Sequence, residues 1–272
     1  MVTLDQGGRL RRRIELVAAP ADLAALVEHA WIQRERSSPA GGAAVFRVVP
    51  DCSGTLIFAL EDEERAVTVR AIVVGARSTF ADVDVSRRRL TLGVRLRPGA
   101  LAALAGEPAW VFTDRVHTVD EVFGSPAGAV AELVGDSDLP AALVALFTFL
   151  RARASYRRPG LRLPSVAGQT TSVAELARAL DLAPRTLYDR TRDEIGIGPK
   201  RLLRVLRLHH ALETCRQSPG WADVAARAGF ADQPHLTREI HALLGETPTA
   251  WLARGRDEAS ADPFKTRGAA PV

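Results

Sequence analysis

The chain reads as an α+β protein. A small β-rich N-terminal domain of sensor type, with helices, precedes an all-α domain of two helix-turn-helix units joined by a long helix. Three observations predict this. Short stretches rich in β-branched residues crowd the segment between 44 and 96, helical spacing of apolar residues takes over from about 98, and residues 172–203 and 220–252 repeat one another. With 272 residues, 47% of them hydrophobic and 25% charged, the chain is long enough for two domains that each bury a core.

From about Ile14 to Trp31 the pattern predicts a helix, with Leu23, Leu26, Val27 and Ala30 on one face. Five extended stretches follow: Ala44–Val49, Thr55–Leu60, Ala66–Gly75, Asp82–Ser86 and Leu90–Leu96. Their branched side chains suit a pleated, half-buried surface, and Pro50, Asp51, Gly54, Gly75 and the Pro98–Gly99 pair separate them as turns. Closely spaced strands of this kind predict a small sheet, sandwich or barrel. Pro98–Gly106 returns to helix, with Pro98 suited to a first turn. A helical pattern then runs from Pro126 to about Tyr156 with a break at Asp136–Pro140, and the basic, Pro/Gly-marked Arg151–Gly160 closes it as an interdomain linker. These textures divide the chain into an N-terminal sensor or interaction domain (1–125), a helical linker (126–160), a helical domain (161–255) and a polar, disordered tail (256–272).

Several classes are disfavoured. No run of about eighteen apolar residues is present, Leu139–Leu150 being too short to cross a bilayer, so no membrane partner is expected. Arg9, Arg11, Arg12 and Arg13 are not followed by an apolar signal core, and a cytoplasmic location is expected. Cys52 and Cys215 are too few for a disulfide scaffold and read as small buried hydrophobes, with a redox pair possible only if the fold brings them together. Net charge is +4, and its distribution is uneven: residues 1–127 balance 16 basic against 16 acidic side chains, whereas 161–255 hold 13 against 10. The excess is modest, but it sits on the repeated segment.

In the first copy of the repeat, Val173, Leu176, Ala177 and Leu180 mark one face of a short helix, Asp181–Leu182 turns the chain, and Pro184 opens a second helix. In the second copy Trp221, Val224, Ala225 and Ala228 mark the first helix, Gly229–Phe230 turns, and Asp232 caps the second. Ala177 matches Ala225 and Leu182 matches Phe230, 48 residues on; past the turn the offset is 49, and Leu187 matches Leu236, Gly196 matches Gly245, Pro199 matches Pro248 and Leu203 matches Leu252. A small residue lets two helices cross closely, the turn needs a left-handed backbone, and the next apolar residue fills the corner. One face of the second helix is thereby buried and the opposite face is left for a major groove. A bundle of duplicated hairpins that meets no nucleic acid is the alternative, and the second matched copy with its trailing Gly-x-x-Pro argues against it.

The stretches GPKRLLRVLRLHHAL and ADVAARAGFADQPHLTREIHALLGETPTAWL, the latter holding Gly245, Thr247 and Pro248, resemble the AraC/XylS family of transcription regulators over about Thr171 to Trp251. The N-terminal half is similar to the small sensor-type domain that precedes this module in many members, through RVVPDCSGTLIFAL, VVGARSTF, LGVRLRPGALAALAGEPA and DRVHTVDEVFG. The resemblance implies a sequence-specific regulator whose partner is double-stranded DNA. RNA polymerase, a small effector and a second copy of the chain are further expected partners. The alternative is a ligand-binding or enzymatic protein with a helical domain that does not read DNA.

On the first recognition helix Arg185, Tyr188, Asp189 and Arg192 face outward at helical spacing. Arg185 suits a guanine edge, Tyr188 a thymine methyl or a phosphate, Asp189 a cytosine N4 or a neighbouring arginine, and Arg192 a phosphate. Asp189 departs from the basic or polar donor usual in the family, and Thr191 stands where most members carry a large apolar residue, as Ile240 does in the second unit. The first unit is therefore expected to read sequence weakly. On the second helix Gln233 suits adenine, Arg238 guanine or a phosphate, and His235 and Thr237 smaller contacts, His235 having packing in the helix interface as its alternative. Lys200, Arg201 and Arg204, with Arg207, stripe the connecting helix and suit phosphates or a solvated face.

Catalysis is not expected. No phosphate loop, nucleophile elbow or His-Glu-x-x-His motif is present, Cys52 and Ser53 lack a neighbouring His, and His29 and His117 do not complete a metal site. No metal or cofactor is expected. A barrel-like domain with an apolar interior would suit a small ligand.

Overall fold

The computed structural model describes residues 13–34, 45–64, 66–124, 128–154, 161, 163, 172–215 and 220–258. Arg9, Arg11 and Arg12, most of the 151–160 linker and the tail beyond Glu258 lie outside the described residues. Among the described residues no helix is long and apolar enough to cross a membrane.

The N-terminal half is built on a six-stranded antiparallel sheet of order β1-β2-β7-β4-β5-β8, with β3 and β6 paired as a separate ribbon. The strands are β1 (Arg13–Ala18), β2 (Val27–Arg34), β3 (Val45–Val48), β4 (Thr55–Asp62), β5 (Val67–Val74), β6 (Ala81–Asp84), β7 (Arg88–Leu96) and β8 (Val116–Thr118). All five expected strands form. The expected helix over Ile14–Trp31 does not: its residues make β1 and β2, joined across a single 3-10 turn at Ala21–Leu23. Pro20 lacks the N–H a helix needs and holds the residue before it extended. The rest of that segment satisfies its backbone by pairing, with β2 laddered to β1 on one side and to β7 on the other. Leu23 and Leu26 still reach the core, from the turn rather than from a helix face.

Alternation along the central strands sorts side chains to two faces. Leu90, Leu92, Val94 and Leu96 of β7 join Leu56, Phe58 and Leu60 of β4 in the main core. This face is covered by α1 (Ala100–Ala105), α2 (Val119–Phe123), α3 (Gly128–Gly135) and α4 (Leu139–Ala154). Leu146 and Leu150 of α4 are fully buried there, so the helical stretch after residue 126 is part of the N-terminal core. The opposite face carries Trp31, Ile57, Ala59 and Ile72, with Phe46 of the β3–β6 ribbon packed against them. Gly93 makes that face possible, because a Cβ there would stand 2.1 Å from the Trp31 ring.

Arg95, 2% exposed, lies on the same face of β7 as Gly93 and donates to Asp51 (2.6 Å) and Glu28 (2.9 Å). Burial works against the charged guanidinium, and the two carboxylates outweigh it, raising its pKa above the ordinary arginine value. Asp51 is held further by the Ser53 N–H, and its backbone pairs with Arg77. The turn after β3 is thus tied down by a buried charge network.

The C-terminal half is α5 (Val173–Ala179), α6 (Pro184–Arg190), a π-helical turn (Thr191–Ile195), α7 (Pro199–Thr214), α8 (Trp221–Arg227), α9 (Gln233–Leu244) and α10 (Pro248–Glu258). It has two apolar cores. Leu202, Leu203 and Val205 of α7 join the first unit, and Leu208, Ala211 and Leu212 join the second. One helix therefore serves both units, each along its own half.

Candidate nucleic-acid interface

The two units use the same corner. Leu182 donates its N–H to the Ala177 carbonyl at 2.9 Å, and Phe230 donates to Ala225 at 2.9 Å. Both corners take a left-handed residue, Asp181 (φ 51°) and Gly229 (φ 73°). Asp tolerates that region at a cost of about 1 kcal/mol that glycine does not bear. A capping box between Ser172 and Glu175 starts α5, and Asp232 accepts from the His235 N–H at 2.6 Å to start α9.

The recognition helices differ in their second halves. The first has seven α-helical residues and then five π-helical ones, against twelve α-helical residues in α9. The change begins at Thr191, which is fully buried and donates its hydroxyl to the Tyr188 carbonyl at 3.1 Å. A buried hydroxyl must find an acceptor, and the one in reach is in its own preceding turn. Ile240 at the matching place makes no such demand and packs in the second core. The departure noted at Thr191 coincides with a change of helix type. Arg190 and Glu194 pair across the same turn at 2.7 Å, and Glu194 also accepts the Leu161 N–H.

Arg185 is 92% exposed, and Asp189 lies 3.9 Å from it, a loose solvent-screened pair that leaves the guanidinium accessible. Tyr188 is exposed on the same helix, with its ring beside Gly198. Arg192 lies 4.9 Å above the Trp110 ring of the N-terminal half. On α9 both Gln233 and Arg238 are exposed. His235 turns back onto the corner: its ring meets Phe230 edge-on at 5.3 Å, and its Nδ1 accepts from the Ala231 N–H at 3.4 Å. Thr237 donates to the Gln233 carbonyl at 3.0 Å. Lys200 and Arg201 are exposed on α7, whereas Arg204 binds both Glu239 oxygens, at 2.8 and 3.1 Å. The first helix thus brings Arg185, Tyr188 and Asp189 onto one exposed face, while on α9 Gln233 and Arg238 are each exposed. Arg192 and Arg204 engage protein partners.

Trp110 and Glu239 were not singled out in the sequence. Glu239 lies one residue beyond Arg238 on α9, but nothing local marks it as the partner of a residue 35 positions earlier. Cys52 and Cys215 are buried in different cores, Cys52 with the first unit and Cys215 with the second. Burial, aided by the Asp51 carboxylate, pushes the Cys52 thiol above its ordinary range.

Two family models match the chain: the helix-turn-helix domain over residues 176–254, and a domain of unknown function, DUF6597, over residues 15–118. No curated relative matches. Among solved structures, an apo ToxT variant from Vibrio cholerae is similar at 10% identity, over 83% of this chain and 96% of that one, with a TM-score of 0.42. Wild-type ToxT from the same organism, bound to an unsaturated fatty acid, is similar at 8% identity, over 80% and 96%, with a TM-score of 0.37. The family models, together with the repeated corner and its caps, identify residues 176–254 as a helix-turn-helix domain, preceded by a DUF6597 domain over residues 15–118.

Proposed function

We propose that the chain is a sequence-specific DNA-binding transcription regulator acting in the cytoplasm, governed by a small effector at its N-terminal domain. The reading is carried by one observation: two recognition helices in matched units, each with an exposed polar face. Arg185 and Tyr188 in the first unit, and Gln233 and Arg238 in the second, are assigned to base edges, with Asp189, His235 and Thr237 as minor contributors. Lys200 and Arg201 are assigned to phosphates, together with Arg192 if it leaves Trp110. Arg204 takes a supporting role through Glu239. The effector reading is supported by the docking of the N-terminal half on both units, which gives a change there a direct path to the DNA module.

The test is enrichment of binding sites from a random duplex pool, followed by competition between enriched and random DNA at several salt concentrations. A specificity ratio of about 10³ or more is expected. Equal binding to both DNAs at every salt concentration overturns the reading. A thermal-shift screen of the full chain against metabolites tests the effector part separately, and a screen without any stabilising compound counts against it.

A further inference from the structure

Gly196 and Gly245 occupy the same place in the two units, each directly after its recognition helix and each left-handed (φ 103° and 70°). The N-terminal half grips both, with unrelated elements. At the first, the Thr113 hydroxyl donates to the Gly196 carbonyl at 2.8 Å, and a Cβ on Gly196 would stand 2.3 Å from the Thr113 Oγ1. At the second, Phe80 donates its backbone N–H to the Leu243 carbonyl at 3.0 Å, Arg47 donates to the Leu244 carbonyl at 3.2 Å, and a Cβ on Gly245 would stand 2.4 Å from the Phe80 ring. Arg47 in turn lies 4.5 Å over that ring and pairs with Asp82. The carbonyls of Leu243 and Leu244 are among the last of α9, which lack N–H donors within the helix, so the N-terminal half caps it.

Between these corners the turn after β3 enters both cores. Val49 joins the second, Cys52 joins the first, and the Pro50 carbonyl lies 2.7 Å from His209 Nε2 on α7. Asp51, in the middle, is the residue anchored by Arg95. The two units share α7, but their cores lie on separate halves of it. A second span, supplied by the N-terminal half and fastened at both equivalent corners, closes the arrangement.

We infer that Thr113 and Phe80 are positioning residues for DNA recognition: by holding the two equivalent corners, they set the separation at which the recognition helices meet successive major-groove faces. This rests on the DNA-reading function proposed above. It assigns part of the specificity, the spacing between half-sites, to residues of the N-terminal domain that touch no base.

The experiment is binding-site enrichment with the full chain from a pool of paired half-sites separated by spacers of varied length. Wild type is expected to enrich one spacing. The double variant Thr113→Ala/Phe80→Ala is expected to enrich the same half-site bases while its preference for that spacing over neighbours of one base pair drops by about tenfold, the effect of losing a hydrogen bond and a ring contact. Thr113→Ser, which keeps the hydroxyl, is expected to retain the wild-type spacing, and Thr113→Ala alone gives the same readout if the double variant does not fold. Variants that keep a single spacing overturn the inference, as does a uniform rise in affinity for all DNA, which would make the contacts an inhibitory lock. A wild type that enriches a half-site without a fixed partner overturns it as well. A wild type that enriches no sequence overturns the DNA-reading function and this inference with it.

Discussion

The guanidinium of Arg204 on α7 forms a two-bond pair with the Glu239 carboxylate on α9, with both side chains mostly buried (31% and 22% exposed). A cation committed in this way orients the second recognition helix and is poorly placed to neutralise a phosphate. Arg204→Ala is expected to lower stability by about 1 kcal/mol. It should also blunt base discrimination at the positions read by α9 more than it weakens binding to random DNA. Glu239→Gln is expected to act in the same direction, because it removes the same pair. Binding curves for both variants on base-substituted sites check this. Uniform weakening with a reduced salt slope would instead return Arg204 to the phosphate contacts.

Arg238 and Arg201 are both exposed, but on helices with different tasks. Arg238→Ala is expected to lose about 1–3 kcal/mol of discrimination at one base pair with little change elsewhere. Arg201→Ala is expected to weaken enriched and random DNA alike and to reduce the salt slope by about 1. Salt titrations on the two DNAs separate these patterns. The reverse assignment, with Arg201 selective and Arg238 not, would exchange the roles of the two helices.

Arg95 lies between Asp51 and Glu28 in a region closed to solvent. Arg95→Met leaves the two carboxylates without their counter-charge, and a loss of about 3–5 kcal/mol in chemical denaturation is expected. Pairing Arg95→Met with Asp51→Asn should recover part of that loss, since one stranded charge is then removed. No recovery in the pair would mean that packing, rather than charge, dominates at Arg95.

The two thiols sit in separate cores, and burial raises that of Cys52. Both are expected to resist thiol reagents in the native state and to react rapidly after denaturation, because the thiolate is the reactive form and the interior disfavours it. Fast labelling of either cysteine in the native chain, or a disulfide between them on mild oxidation, would restore the redox possibility.

The repeat could be read directly because its signals are local. Asp181 and Gly229 at the turns, Ala177 and Ala225 at the crossings, and Asp232 as a cap each act within a few residues of themselves, and the structure uses all of them as expected. The five strands from Ala44 to Leu96 were legible for the same reason. The apolar spacing of Ile14–Trp31 suits either a helix or a strand when taken alone, and the structure makes it β1 and β2. The choice was made by β7, more than fifty residues away, which offers β2 a full ladder of partners.

The sequence by itself determined the two matched units and the exposed faces of their second helices, since periodicity, turn chemistry and caps are properties of neighbouring residues. Only the tertiary structure decided that Arg204 belongs to Glu239, that Arg192 rests on Trp110, and that Thr113 and Phe80 hold the equivalent glycine corners. Those relationships join residues between 35 and 165 positions apart, and no local preference encodes which distant partner a side chain will meet once two cores have formed.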